Sequence, residues 1–253
     1  AAGGPVTNAA VAFSYLGNQA KISGVVGCHP MTQLIKGDLA NYQVEIIDNY
    51  PTTENPPPVS SIIVSKETGE RAVISINAVK TQVSSQSISP DILQDIDIVL
   101  IDGHQMKLGC AIAQKAKVEN IPVVIDGGSW KAGFEKLLPF VDYAICSANF
   151  YPPASHNAYL NQIGIPHIAI THGEKPIQYL TKNLSHNLSQ SEIKILDVPK
   201  IQPADTLGAG DIFHGAFCHY VLQETFTTAL EEAAKIAALS CQFFGSRRWM
   251  TNH

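Results

Sequence analysis

Asp205-Thr206-Leu207-Gly208-Ala209-Gly210-Asp211 is the stretch whose reading decides the fold. Ile193 to Val198, just before it, reads as a short strand. From Ile212 onward Phe213, Ala216, Phe217, Tyr220 and Val221 recur at helical spacing, so that helix has one face built for burial. Strand, small-residue turn and helix together create an anion site. The first N–H groups of a helix lack internal acceptors, and the helix dipole adds positive potential there. Gly208 and Gly210 let a bulky anion reach the backbone, and Ala209 hardly obstructs it. Asp211 would repel an anion. A carboxylate in that position makes sense if it takes a proton while the anion is attacked. The plainer alternative is a glycine turn with Asp211 as an N-terminal helix cap.

Working outward, Gly3-Gly4-Pro5-Val6-Thr7-Asn8 opens a helix over Ala9 to Leu16 with proline in its first turn. Gly17 closes that helix, and Ala20 to Val26 reads as a strand. Tyr42 to Asn77 differs in texture: Val44-Glu45-Ile46, Ser60 to Val64 and Arg71 to Ile76 cluster β-branched residues around a proline-rich link and Glu67-Thr68-Gly69-Glu70. Three strands without intervening helices do not suit a parallel sheet, which needs crossovers. They are expected to form a small antiparallel flap with Val44, Ile46, Ile62, Val64 and Val73 on one apolar face.

After Asp91 the pattern alternates. Strands are expected at Asp97 to Ile101, Ile121 to Ile125, Tyr143 to Cys146 and His167 to Thr171, with helices at Leu108 to Glu119 and Phe134 to Leu138. A last helix spans Ala229 to Phe244. This is an α/β chain with a doubly wound, mainly parallel sheet flanked by helices. In such sheets ligands bind beyond the C-terminal strand ends. Asp102-Gly103-His104, Asp126-Gly127-Gly128 and Thr171-His172-Gly173 all fall on that edge.

Composition narrows the function classes. The chain has 253 residues, 45% hydrophobic and 15% charged, enough for one large domain with a small appendage. A net charge of −5 offers no electrostatic attraction to nucleic acid. The five cysteines include no C-x-x-C pair and the nine histidines no metal-site spacing, which argues for a reducing, cytoplasmic setting. No apolar run approaches the roughly 20 residues of a membrane span. P-loop, dinucleotide-fold and protein-kinase motifs are all missing, and no nucleophile elbow surrounds Ser129, Ser147 or the cysteines.

The string Asp205-Thr206-x-Gly208-Ala209-Gly210-Asp211, followed by Phe213 and Gly215, closely resembles the C-terminal signature of the ribokinase-like (PfkB) carbohydrate kinases. Gly3-Gly4-x-x-x-Asn8 resembles their N-terminal signature. The resemblance runs over essentially the whole chain and implies an ATP-dependent sugar kinase using Mg²⁺. It implies that residues 1–41 and 78–253 form the core and that 42–77 form an inserted β-lid, often used for homodimerisation. By the same resemblance Asp211 is the base for the sugar hydroxyl, and Gly208, Ala209 and Gly210 form the anion hole. Gly3, Gly4 and Asn8, with Asp102 or His104, would hold the sugar. Thr171, Gly173, Lys131 and Asn149 would lie toward ATP, and Asp205 would organise a monovalent-cation (K⁺) loop with help from Gly245.

Three departures stand out. Pro152 occupies the place of a Glu in the Asn-x-x-Glu element that begins at Asn149, and Pro176 occupies that of a second glycine after Thr171-x-Gly173. The family's first strand is expected to precede Ala1, about 30 further residues by the strand and turn required. Two other readings stay open: a nucleoside kinase, and a non-catalytic sugar or nucleotide sensor on the same scaffold.

Overall fold

The computed structural model describes residues 1–64, 71–75, 81–153, 159–160, 163–181 and 192–251. The alternating half folds as expected. Strands β5 (Val99–Ile101), β6 (Val123–Gly127), β7 (Tyr143–Ser147) and β8 (His167–His172) run parallel, and β9 (Lys175–Thr181) and β10 (Lys194–Leu196) extend the sheet antiparallel. The order is β10-β9-β8-β7-β6-β5. Alternate residues of each strand face opposite layers, as the pleat requires. Ile125, Ala144 and Ile168 pack toward helices α3 (Met106–Glu119) and α4 (Phe134–Leu137). Val124, Ile145 and Ala169 pack toward α5 (Ala209–Val221) and α6 (Phe226–Ser240).

Strand β9 is an addition to the sequence reading. It returns from β8 with Lys175 opposite His172, and the register shifts between Ile170 and His172. That bulge falls opposite Pro176, which has no N–H to give to a ladder, so the irregularity accommodates the proline.

The N-terminal part is built differently from expectation. Helices α1 (Pro5–Tyr15) and α2 (Thr32–Asn41) flank strands β1 (Ala20–Gly24) and β2 (Val44–Asp48). Strand β2 pairs in parallel with β1, from Ala20 opposite Val44 to Gly24 opposite Asp48. Val44 is buried with Ala20, Leu39 and Trp249, and Ile46 packs against the same cluster. Val44 and Ile46 therefore belong to this layer rather than to an antiparallel flap, because α2 supplies the crossover a parallel pair needs. The antiparallel unit is the hairpin β3 (Ser60–Val64) and β4 (Arg71–Ser75), with Ile62 opposite Val73. Glu67 to Glu70 and Ile76 to Asn77 lie outside the described residues, as do the side chains of Val64 and Val73.

Among the described residues, one edge of β1 and the outer edge of β5 carry no strand partner. A cavity of about 360 Å³ lies between them, lined by Ala20 to Ser23 on one side and Ile98 to Ile101 on the other.

Helices α1 and α5 cross closely because Gly215 faces Ala9 and Ala12; a Cβ at Gly215 would overlap the Ala9 carbonyl. We predict that Gly215→Ala destabilises the protein by about 1–3 kcal/mol, the usual cost of overpacking. Gly37→Ala, at an exposed position of α2 with open space around it, should instead stabilise by about 0.5–1 kcal/mol. Urea midpoints of the two variants check the contrast.

Candidate active site

The turn before α5 takes the conformation its sequence requires. Gly208 adopts φ 78° and precedes the first helical residue, Ala209. Such a left-handed backbone favours glycine. Ala209 N–H donates to the Thr206 carbonyl at 3.3 Å and Ile212 N–H to the Gly208 carbonyl at 2.9 Å. The N–H groups of Gly210 and Asp211 have no acceptor among the described residues. Two N–H donors without acceptors therefore stand at the positive end of the helix. Asp205 braces the turn from below: its Oδ1 accepts from Leu207 N–H and its Oδ2 from Gly245 N–H, both at 2.9 Å.

Asp211 stands in the first turn of α5 with its carboxylate largely buried. Its Oδ2 accepts a 2.7 Å hydrogen bond from Asn8 Nδ2, across 203 residues of sequence. Gly208 faces the same cluster; a methyl group placed on it would lie 3.6 Å from Asn8 Nδ2 and 3.8 Å from Asp211 Oδ2. Burial raises the Asp211 carboxyl to about 6, helped by the Asp126 and Asp102 charges and opposed by Asn8 and His214. A carboxyl that ionises near neutrality can take and release protons at physiological pH.

Asp126, which the sequence reading placed on the ligand-binding strand edge without a role, and His214, which it did not single out, are further functional candidates. Both are buried. His214 Nδ1 lies 2.7 Å from the Gly210 carbonyl and 3.5 Å from Asp126 Oδ2, and its Nε2 lies 3.1 Å from the Ile145 carbonyl. The imidazole therefore ties the anion turn to strand β7. A histidine one turn after Gly210 on a buried face was the available signal.

The other expected residues are placed as follows. Gly3 and Gly4 are exposed at the start of α1, with Gly4 at φ 112°. Asp102 directly follows β5, its Oδ1 accepting the His104 N–H at 2.9 Å and its Oδ2 lying 3.0 Å from His104 Nδ1. Burial pushes the Asp102 carboxyl up, but His104 and Lys131 more than offset this and hold it below the ordinary value. Lys131 donates to the Asp102 carbonyl at 3.0 Å, so its ammonium is anchored on the β5 loop. Thr171 sits at the end of β8, its hydroxyl 3.4 Å from the Cys146 carbonyl, and Gly173 turns the β8–β9 hairpin at φ 65°. Asn149 is exposed beyond β7, its N–H held by Ser147 Oγ at 3.0 Å. Asp102, Asp126 and Asp211 come together electrostatically, since both of the other carboxylates act on Asp211.

Among the described residues no three His, Cys, Asp or Glu side chains form a group able to hold a metal ion. A Mg²⁺ carried on nucleotide phosphates and water asks for no such protein cage. No described helix is long and apolar enough to cross a membrane.

The family model described as pfkB family carbohydrate kinase matches residues 1–251. No curated protein matches the chain in sequence. Among solved structures, the chain is similar to a putative ribokinase from Agrobacterium tumefaciens, with TM-score 0.79, 21% identity, and coverage of 98% of this chain and 82% of that one. An Escherichia coli putative ribokinase II in complex with ATP and Mg²⁺ matches with TM-score 0.75, 19% identity, and coverage of 99% and 89%. Adenosine kinase from Schistosoma mansoni, in complex with 2-fluoroadenosine, matches with TM-score 0.77, 17% identity, and coverage of 97% and 81%. The fold is ribokinase-like.

The Asp211 carboxyl also makes a prediction about stability. Folding favours its protonated form, so its stabilising contribution is complete below the unfolded value of 3.8 and is lost as pH rises through about 6. At pH 8 this costs on the order of 2–3 kcal/mol. Asp211→Asn should raise the melting temperature at pH 8 and have little effect at pH 4. Thermal melts of both proteins across that range check it.

Proposed function

The chain belongs to the pfkB family of carbohydrate kinases, and on that premise we propose that it transfers the γ-phosphoryl group of ATP to a hydroxymethyl group of a small sugar, with Asp211 as the general base. One observation carries the reading: a carboxyl raised to about 6 stands beside two backbone N–H groups that have no acceptor among the described residues. A helix cap needs no such shift.

ATP, with Mg²⁺ on its phosphates, supplies the phosphoryl group. Asp211 draws the proton from the sugar hydroxyl as its oxygen bonds to phosphorus and the bond to the ADP oxygen breaks. The N–H groups of Gly210 and Asp211 offset the charge on the phosphoryl oxygens, and they do so without reorganising, because Gly208, Asp205 and His214 already hold the turn. Asp102 and Asp211 are pushed to opposite sides of the ordinary carboxylate value. Such a pair divides its roles, and the raised member is the proton carrier. The sugar would lie over exposed Gly3 and Gly4, near Asn8 and the Asp102–His104 loop. The nucleotide would lie toward Thr171, Gly173 and Asn149. K⁺ at the Asp205 loop is part of the proposal, with Asp205 as loop organiser, since both its oxygens accept N–H groups.

Turnover of Asp211→Asn should fall about 10²- to 10⁴-fold, the usual worth of a general base, while ATP affinity holds or improves because a like charge near the phosphates is gone. ADP release over a panel of sugars and nucleosides, with isothermal titration of ATP, tests both halves. Full turnover in the variant would return Asp211 to a capping role. A nucleoside outperforming every sugar would move the acceptor to that class, and ATP binding without turnover in the unaltered protein would favour a sensor.

We also propose a homodimer through the β3–β4 hairpin. Ile62 is 42% exposed and Ile74 63% exposed, and the register places them on opposite faces of the hairpin, so each face carries an apolar side chain that a second copy would cover. Sedimentation at micromolar concentration should give a dimer that Ile62→Lys with Ile74→Lys dissociates; a monomeric parent protein would contradict this.

A further inference from the structure

We propose that Arg247 is a positioning residue for Asp211 and acts by fixing which way the Asn8 amide faces. The inference rests on the reading of Asp211 as the base, but its geometry is independent of any substrate.

Arg247 follows α6 and sits 12% exposed among groups from the opposite end of the chain. Its Nη1 donates to Asn8 Oδ1 at 2.8 Å and its Nη2 to the Ala2 carbonyl at 2.9 Å. Asp38 Oδ2 lies 3.7 Å from Nη2, and the guanidinium lies 5.5 Å from the Tyr42 ring centre. Its Nε, though buried, has no acceptor among the described residues.

The argument turns on what an asparagine can do. Its amide has nearly the same shape when rotated by 180°, but the rotation exchanges an acceptor for two donors. A guanidinium only donates. Arg247 therefore forces Oδ1 toward itself, which turns Nδ2 toward Asp211 Oδ2 at 2.7 Å. Two effects follow at the base. Oδ2 always receives a hydrogen bond that favours the ionised form, and the carboxylate is held in one rotamer, with Oδ1 free of hydrogen bonds from the described residues. Asn8 still has one N–H and one lone pair for a substrate hydroxyl, so it can hold the acceptor and the base together. Without Arg247 the amide could present its oxygen to Asp211, an arrangement compatible only with a protonated carboxyl.

The other charged groups acting on Asp211 are Asp126 at the end of β6, Asp102 at the end of β5 and His214 on α5. None of them touches Arg247, so a change at Arg247 leaves them in place. A plain staple between the chain ends would hold Ala2 and Asp38 and would act on Asp211 only through its charge, which Arg247→Lys keeps, so that variant would then titrate with the parent.

The experiment is a carbon-13 NMR titration of the Asp211 carboxyl in the apo-protein, assigned by its loss in Asp211→Asn. Four proteins are compared: the parent, Arg247→Met, Asn8→Ala and the double variant. The parent midpoint should lie at about 6. In Arg247→Met it should rise by about one pH unit, the scale of losing a hydrogen bond and a nearby opposite charge. The double variant should titrate no higher than about 0.3 pH unit above the more perturbed single variant, because the two residues act in series. Arg247→Lys keeps the charge and one donor, so its midpoint should fall between parent and Met variant; it carries the test if Arg247→Met does not fold. A midpoint that stays at the parent value while the melting temperature drops, or shifts that simply add in the double variant, would overturn the proposal. Since no substrate is present, failure of the sugar-kinase reading would appear only in the turnover assays and leave this result interpretable.

Discussion

The close crossing of α1 and α5 is the constraint on which the site depends. Gly215 lets the Ala9 carbonyl and the Ala12 methyl come up against the α5 backbone, and that approach sets Asn8 within a hydrogen bond of Asp211. A side chain at 215 would hold the helices apart. Asn8 would then lose contact with the carboxylate, although neither helix need lose its own hydrogen bonds. The packing of two small-residue helix faces and the chemistry of the first helical turn are one arrangement.

From that crossing the rest of the site follows by fixing the turn on three sides. Asp205 holds Leu207 and Gly245. His214 holds the Gly210 carbonyl to β7, and Gly208 supplies the left-handed backbone. Two N–H groups at the start of α5 are left over because the geometry that opens a helix gives them no acceptor. Rigidity here has a chemical purpose: donors that are already aimed need no reorganisation when charge develops.

Two carboxylates of the site illustrate how environment separates like groups. Asp102 and Asp211 are both surrounded by protein, yet they depart from the ordinary value in opposite directions. For Asp102 the His104 side chain and N–H together with Lys131 outweigh burial. For Asp211 burial and two neighbouring negative charges outweigh one amide and one imidazole. Asp102 has His104 two residues on as its main counterweight, whereas the charges that push Asp211 up come from the ends of strands β5 and β6, far away in sequence.

The sequence by itself determined the periodic and contiguous features. The alternation of β-branched runs with helical spacing predicted the parallel sheet. The seven residues from Asp205 to Asp211 contained in one piece the glycine, the helix start and the carboxylate of the candidate site, and matched a family signature later borne out over residues 1–251. These are legible because period and turn chemistry act over fewer than about a dozen residues. The pairing of β2 with β1 was not legible, since β-branched strands read alike whether their partner is parallel or antiparallel. Nor were β9, the Asp126–His214 contact or the link from Arg247 through Asn8 to Asp211. Those contacts join residues as far as 239 positions apart, and a side chain's partner across such a distance is chosen by which faces the fold buries together. Only the tertiary structure decides that, because hydrogen-bonding capacity is written in each residue while proximity is a property of the packed chain.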